Sequence, residues 1–335
     1  MKNPLRTFVA IVTLASSFPV YSLPSFSEGW ESGVVSPNIG TGSPYWAILE
    51  AKELIRPAGE TEGGTSNRFT LLNDGGAREG SYYARVEVGK GDNPFVAGNT
   101  IYGLDGLICC DGTNRAEVTD MRDANGDYIR ESVNSGTQKI TFSVKFDKTW
   151  QVISDTSPKH NTGAWGIFAQ LHGPSVYASN PIFALSATDQ IRFNTRVGDL
   201  TQSTQSVEYN LLNCGGELTL DKWIDFTITA KFAVDDTGFV TVARRNEGEA
   251  NFTEVLSLTN TPTLQYSSAY NNGEVLGDNY WKHGLYRNDQ DFTSILYLDN
   301  FIREAVTVAV PEPETYALLL SGLVLIGFKV HRRKI

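Results

Sequence analysis

The sequence predicts an all-β protein, a single jelly-roll-like β-sandwich. Many short segments alternate apolar and polar residues with a period of two, and Thr, Val, Ile, Tyr and Phe recur in them. Gly, Asp and Asn separate these segments, and no long segment outside the two ends has helical periodicity. The chain has 335 residues, shows no internal repeat and has no clear linker, so we expect one domain over residues 23–309.

Strand patterning begins at Gly80–Val88, where every second residue from Tyr82 is apolar. It recurs in Asn114–Thr119 and in Lys139–Phe146, where every second residue from Ile140 is apolar. This alternation is typical of strands with one buried and one solvated face. The later predicted strands are Trp165–Pro174, Ile191–Val197, Trp223–Phe232, Phe239–Val242, Tyr280–Arg287 and Ser294–Phe301.

The first 22 residues have the features of a secretory signal peptide. Lys2 and Arg6 precede an apolar run from Phe8 to Leu14, and small and polar residues follow. A basic start followed by a short apolar run is typical of such peptides, and the run is too short to span a membrane as a stable helix. We therefore expect an exported protein.

Residues 310–335 have the features of a second targeting signal. Pro311-Glu312-Pro313 is followed by an apolar run from Tyr316 to Phe328 and then by a basic tail. This end resembles the PEP-CTERM sorting signal of Gram-negative bacteria. The resemblance implies a short transmembrane helix that anchors the chain transiently in the inner membrane, recognition by an exosortase, removal of the tail, and export to the cell surface or extracellular matrix. A plain C-terminal anchor is the alternative.

The formal net charge of −10 bears on the partners of the protein. Removing both ends takes away more basic than acidic residues, so the mature chain is more acidic still. Such a surface disfavours nucleic acid. It also disfavours an anionic polysaccharide, unless basic residues concentrate in one groove.

The sequence offers two places for cross-linking or metal binding, the three cysteines and one acidic segment. Either Cys109 or Cys110 could bridge to Cys214 in an oxidising compartment, a vicinal disulfide is the alternative, and no metal-binding spacing is present. The segment from Asp120 to Asp127 resembles a calcium loop, but Met121 stands where the first acid belongs. We predict a turn there; structural calcium is compatible with the pattern, and no cofactor is required.

Four predicted strands carry polar, chemically capable residues at alternate positions. They are Arg115 and Glu117; Gln170 and His172; Arg192, Asn194 and Arg196; and Tyr280, Lys282 and Tyr286, with Gly284 leaving a gap in the last set. Phenols and an ammonium group are poor core material because buried polar groups need partners. If these strands lie side by side, one sheet face becomes a groove suited to a charged, hydroxyl-rich polymer.

The patterns Arg-x-Glu, Gln-x-His and Tyr-x-Lys-x-Gly-x-Tyr resemble the sandwich-type polysaccharide lyases, namely alginate, glucuronan and heparin lyase-like enzymes. The segments FSEGWESG, GSYYARVEV, WIDFTITAKF and YLDNF are similar to the framework of the same family. The resemblance covers nearly all of the mature chain and implies a concanavalin-like jelly roll. One departure is Ala116, since the family usually has Ser or Thr between the Arg and the Glu.

The resemblance implies cleavage of a uronate-containing polysaccharide by β-elimination. Gln170 and Arg115 would neutralise the sugar carboxylate, on which charge builds as the C5 proton leaves. His172 would be the base or a further neutralising group, because an unperturbed imidazole titrates near pH 6.5. Tyr286 would be the acid that protonates the leaving O4, and the base too if it lies on the proper side of the sugar ring.

The remaining residues of the pattern are assigned to substrate binding: Lys282, Tyr280, Glu117, Arg192, Arg196 and Trp281. Lys282 would favour the phenolate form of Tyr286 and hold a carboxylate, Glu117 would orient Arg115, and the two later arginines would hold neighbouring carboxylates. Trp281 and Trp165 could stack on sugars. The alternative interpretations are a surface ion pair, a solvated strand face and buried tryptophans.

Two other functions fit parts of the sequence. A non-catalytic carbohydrate-binding or extracellular matrix protein on the same fold is consistent with the acidic surface and with Ala116. A glycoside hydrolase of the concanavalin-like type is the third hypothesis, but a pair of carboxylates for glycoside hydrolysis is not evident.

Overall fold

The structure is a computed structural model that describes most of the predicted domain. The described residues are 26–31, 45–51, 67–92, 113–123, 125–154, 164–173, 181–199, 206–211, 218–266 and 279–306. Within these ranges the chain is almost entirely strand, and a 3₁₀ turn at Val133–Ser135 is their one helical element. The three cysteines, the signal peptide and the C-terminal sorting signal lie outside them.

The strands are numbered in chain order. They are β1 (Phe26–Glu28), β2 (Tyr45–Ala51), β3 (Phe69–Leu72), β4 (Tyr83–Val88), β5 (Thr113–Arg122), β6 (Thr137–Phe146), β7 (Gly166–His172), β8 (Pro181–Ala187), β9 (Ile191–Arg196), β10 (Gly198–Asp199), β11 (Ser206–Asn210), β12 (Trp223–Lys231), β13 (Phe239–Asn246), β14 (Thr253–Thr259), β15 (Gln265–Tyr266), β16 (Tyr280–Asn288) and β17 (Ser294–Ala305).

Two antiparallel sheets form the sandwich. The first has the order β14-β13-β12-β6-β17-β4-β3, with β1 paired to β17, and the second has the order β11-β9-β8-β7-β16-β5-β2. A short parallel ladder joins β10 and β15. Many neighbours in a sheet are distant in sequence, as in a jelly roll. The predicted all-β sandwich is confirmed.

Aromatic and aliphatic side chains from both sheets fill the space between them. Phe142 of β6 and Phe226 of β12 belong to the first sheet, and Phe168 of β7 belongs to the second. The Phe168 ring centre lies 6.4 Å from that of Phe142 and 5.9 Å from that of Phe226, and all three rings are fully buried. Each such burial contributes about 1.5–3 kcal/mol, so these inward faces hold the sandwich together.

A buried ion pair also joins the sheets. Arg303 Nε donates to Glu131 Oε1 at 2.7 Å, and Arg303 Nη2 donates to Oε2 at 2.9 Å. Trp281 Nε1 donates to the same Oε1 at 3.2 Å. The prediction that Trp281 binds sugars is therefore wrong: the alternation of β16 turns this ring inward, where it is 1% exposed.

His283 lies on the inward face of β16 and contacts the first sheet. Its ring meets Phe142 edge-on with centres 4.9 Å apart, and its Nδ1 lies 3.0 Å from the Phe168 carbonyl oxygen. Burial lowers the pKa of His283 to about 3. The imidazole is therefore neutral near pH 7 and serves as part of the core.

Several strands have no clear alternation in the sequence. β8 reads Pro-Ile-Phe-Ala-Leu-Ser-Ala and is buried along almost its whole length, because it is central in its sheet and small residues face outward. β14 is an edge strand with mostly exposed or half-buried side chains. A period of two is visible only where one face is polar, so the sequence pattern predicts neither strand.

Candidate active site

Three of the four strands with polar patterns are neighbours in the second sheet. β16 lies between β7 and β5, and it pairs Tyr286 with Arg115 and Lys282 with Gln170. Tyr280 is opposite His172, and Gly284 is opposite Glu117. Directly paired residues of adjacent strands share a face. The residues of three separate segments therefore meet on one outward sheet face, as the sequence predicted.

Glu117 connects two of these strands. Its Oε1 accepts a hydrogen bond from Gln170 Nε2 at 2.5 Å, and its Oε2 lies 3.6 Å from Arg115 Nε. Glu117 is fully buried, and Gln170 and Arg115 are nearly so. A buried carboxylate is stable only with charged and hydrogen-bonded partners, so this group holds the amide and the guanidinium in fixed positions.

Arg115 and Tyr286 form the next contact. The guanidinium carbon of Arg115 lies 3.6 Å from the centre of the Tyr286 ring, which is the range of a cation–π interaction. Trp165 packs edge-on against the same ring with centres 4.6 Å apart. The phenol is therefore fixed between a cation and an indole while it stays partly exposed to solvent.

Gly284 is required by the close approach of β5. Its φ is +152°, and a Cβ atom there would lie 2.6 Å from the Cα of Glu117 and closer still to the carbonyl oxygen of Ala116. The pairing of β16 with β7 is irregular between His283 and Tyr286, around the same position. The absence of a side chain at Gly284 thus lets β5 approach β16 closely. The Glu117 carboxylate on β5 can then reach across β16 to Gln170 on β7.

His172 is oriented by its neighbour in the chain. Its Nδ1 lies 2.7 Å from the carbonyl oxygen of Gly173. A carbonyl oxygen can only accept a hydrogen bond, so Nδ1 carries the ring proton and donates it. The neutral imidazole then carries its lone pair on Nε2, which suits proton abstraction. The ring also packs against Tyr280, with centres 5.3 Å apart.

Lys282 belongs to the His172 end of the face. It is 3% exposed, and its Nζ lies 5.6 Å from the Tyr280 ring centre. It lies four positions before Tyr286 in β16, which places the two Cα atoms about 13 Å apart at the rise of a strand. The expectation that Lys282 acts directly on the Tyr286 phenol stays a prediction.

The fourth polar strand, β9, is not adjacent to the other three, because β8 lies between β9 and β7. Arg192 pairs with Asp189 at 3.0 Å and with Glu208 at 3.5 Å, and Asn194 donates to Glu208 at 3.3 Å. These contacts favour a structural role for Arg192. Arg196 is half-buried, and burial lowers its pKa.

Three residues outside the predicted patterns extend the same region. The guanidinium carbon of Arg122, at the end of β5, lies 3.5 Å from the Tyr128 ring centre. The guanidinium carbon of Arg130 lies 4.4 Å from the Tyr128 ring centre and 5.2 Å from the Tyr280 ring centre. The chain turns back after β5, and the Asn-Gly pair at 125–126 is a sequence signal for such a reversal.

The turn that the sequence predicts between Asp120 and Asp127 is confirmed. Asp123 Oδ1 accepts hydrogen bonds from the backbone N–H groups of Asn125 at 2.8 Å and Asp127 at 2.9 Å. In the part of the chain that the structure describes, no cluster of three or more His, Cys, Asp or Glu residues could hold a metal ion.

A family model named polysaccharide lyase matches residues 38–302, which is most of the chain. The chain belongs to the polysaccharide lyase family. This membership agrees with the resemblance based on the three polar patterns, and it identifies the domain as a lyase domain. A second model, the PEP-CTERM protein-sorting motif, matches residues 309–334. The predicted sorting signal is thereby confirmed, and it indicates export and processing at the envelope of a Gram-negative bacterium.

Solved structures of lyases resemble the polysaccharide lyase domain. An endo-β-1,4-glucuronan lyase from the fungus Trichoderma reesei is 14% identical with a TM-score of 0.49, over 72% of this chain and 89% of that one. A marine alginate lyase from Zobellia galactanivorans is 14% identical with a TM-score of 0.44, over 79% and 96%. An alginate lyase from Pseudomonas aeruginosa is 12% identical with a TM-score of 0.45, over 81% and 100%. Among curated proteins none matches the chain.

In the described ranges no helix is long and apolar enough to cross a membrane. The segment predicted to form the short anchor of this lyase follows residue 306 and lies outside those ranges.

Proposed function

We propose that the protein is an exported lyase that cleaves a uronate-containing polysaccharide by β-elimination. The observation that carries this proposal is the connected set Gln170–Glu117–Arg115–Tyr286 on the outward face of one sheet. It combines an amide, a guanidinium and a phenol, and His172 lies on the same face. The polysaccharide lyase family match supports the reaction class.

Neutralising the substrate carboxylate is the first task of the site. Removing the C5 proton moves negative charge onto the neighbouring carboxylate, so donors aimed at that group lower the barrier. Arg115 and Gln170 are suited to this role because Glu117 fixes both of them before substrate arrives. Preorganised donors need no reorganisation during the reaction.

Proton transfer is the second task. In the proposed reaction, His172 Nε2 takes the C5 proton, the C5–H electron pair forms the C4–C5 double bond, and the C4–O4 bond breaks. The Tyr286 hydroxyl then gives a proton to the leaving O4. Water is not consumed, and the new chain end is an unsaturated uronate. Lys282 and Tyr280 are proposed to bind the sugar beside His172.

A carbohydrate-binding protein without catalysis was the main alternative, because Ala116 departs from the pattern of the family. Ala116 is fully buried and pairs with Leu285 on the inward face of the sheet. It therefore lies on the face opposite Arg115 and Glu117, and the departure leaves the polar face unchanged. This placement favours the lyase over the binder.

The proposal is tested by mixing the purified protein with alginate, glucuronan or heparin and following ultraviolet absorbance, since elimination creates a conjugated unsaturated uronate. We expect absorbance to rise with at least one of these polymers. Retention of the polymer without any rise would favour the binder. New reducing ends without any rise would favour a glycoside hydrolase.

We also propose that residues 1–22 are removed on export, that an exosortase acts on the segment 310–335 after transient anchoring in the inner membrane, and that the mature lyase reaches the cell surface or extracellular matrix. The sorting-motif match supports this route. Mass spectrometry of the exported protein should find no peptide from the basic tail. Tail peptides in the exported protein would contradict the route.

A further inference from the structure

We infer that Arg122, Tyr128 and Arg130 form an additional carboxylate-binding subsite, which holds the uronate next to the reacting sugar on the His172 side. The inference rests on the proposed function, and it names residues that belong to none of the three patterns from which the site was predicted. It assigns the turn after β5 to substrate binding.

The first argument is continuity with the catalytic face. The guanidinium carbon of Arg130 lies 5.2 Å from the Tyr280 ring centre, and that ring lies 5.3 Å from the ring of His172. Lys282 Nζ lies 5.6 Å from the same Tyr280 centre. Tyr280 thus lies close to both the proposed base and Arg130, so a sugar chain that extends from His172 past Tyr280 reaches Arg130.

The second argument is charge. The guanidinium groups of Arg122 and Arg130 lie 3.5 Å and 4.4 Å from the centre of one ring, that of Tyr128. Guanidinium groups bind carboxylates through two parallel hydrogen bonds.

The third argument is exposure beside rigidity. Tyr128 is 41% exposed, whereas Arg122 is 7% exposed and donates from Nη1 to the Gly126 carbonyl at 3.0 Å. Glu131 N donates to Asn279 O at 2.7 Å, which fixes the end of this segment beside the start of β16. An exposed ring on a fixed backbone, flanked by cations, is suited to a sugar ring and its carboxylate.

The test compares the wild-type protein with Arg130→Gln on oligouronates of increasing length from the polymer that the wild type cleaves. We expect wild-type kcat/KM to rise with length. Arg130→Gln should remove that rise, with about 10-fold lower kcat/KM on the longest substrates, through a higher KM at similar kcat, because one charge-assisted contact is lost. Arg130→Lys, which keeps the charge, should recover part of the affinity.

The matched control is Arg85→Gln, which removes an arginine from the outer face of the opposite sheet, where it pairs with Glu87 at 2.6 Å. It should leave the length dependence unchanged. An equal length dependence in the wild type and in folded Arg130→Gln would overturn the subsite. If the wild type eliminates none of the polymers, the proposed function fails separately, and calorimetric binding of an oligouronate still tests the subsite: equal affinities, or no binding at all, would reject it.

Discussion

The positions of Arg115 and Gln170 in this site depend on one buried carboxylate, that of Glu117. Glu117 contacts the amide of Gln170 on one strand and the guanidinium of Arg115 on its own strand, and Arg115 in turn lies over the Tyr286 ring. A charge that is fully buried restricts its partners to a narrow geometry. We therefore propose that Glu117 is a positioning residue and that Arg115, Gln170, His172 and Tyr286 contact the substrate.

Replacing Tyr286 by Phe tests the proposed acid. The ring and its packing against Trp165 remain, and only the hydroxyl is lost. Because general acid catalysis contributes roughly 10²–10⁴-fold, we expect turnover to fall by at least about 100-fold. Retention of the variant on a polymer affinity gel should match that of the wild type. Near-normal turnover would show that another group protonates the leaving oxygen.

Replacing Glu117 by Gln tests the positioning role. The amide oxygen can still accept from Gln170, but Arg115 loses its anionic neighbour and can move. A displacement of about 1 Å in a catalytic group can cost about 100-fold in rate, so kcat should fall strongly while KM changes little. Glu87→Gln on the outer face of the first sheet is the control, since Glu87 binds Arg68 and Arg85 there. A change in KM alone would contradict this role.

Among the elements, β16 determines the site because it is central to the three strands that form it. Replacing Gly284 by Ala should push β5 away, since the added Cβ meets the backbone of Ala116 and Glu117. We expect lost activity and a lower melting temperature. Gly248→Ala is the control: it shares a positive φ of +89°, but nothing lies within 4 Å of its added Cβ. If both variants keep activity equally, the close approach of β5 does not matter.

Comparison of the strands shows what the sequence could and could not predict. β16, β7 and β5 were predicted with their facing residues, because polar side chains stand out at every second position of a strand with an apolar opposite face. β8 was missed because small residues hide its outward face, and this strand separates β9 from the site. The contact of Arg130 with Tyr280 was missed because it depends on a chain reversal that links residues far apart in sequence.

At the scale of the whole molecule, the same strand that carries the site also joins the two sheets. His283 on its inward face packs against Phe142 and Phe301 of the first sheet. Its pKa is lowered by burial to about 3, below the usual value of 6.5. The unfolded chain therefore binds a proton that the folded chain does not, and the stability that depends on neutral His283 is present above pH 6.5 and is lost as pH falls toward 3.

Because of the low pKa of His283, we expect the unfolding free energy to fall by about 2 kcal/mol as the pH is lowered from 7 to 5, at about 1.4 kcal/mol per pH unit below 6.5. His283→Asn keeps a donor for the Phe168 carbonyl and does not titrate. Between pH 7 and pH 5 this variant should therefore lose about 2 kcal/mol less unfolding free energy than the wild type. Urea unfolding at both pH values measures it. Asp299, whose pKa burial raises to about 6, acts in the opposite direction in both proteins and cancels in the comparison. Equal losses would mean that His283 is not the acid-sensitive group.

The central claim is that this face cleaves its polymer by elimination, with Tyr286 and His172 moving protons and no water entering the products. Mass spectrometry of the products formed in heavy-oxygen water measures this directly. We predict new chain ends that are unsaturated uronates and carry no heavy oxygen from the solvent. Products that are saturated and labelled with heavy oxygen would contradict the account, because they would require hydrolysis.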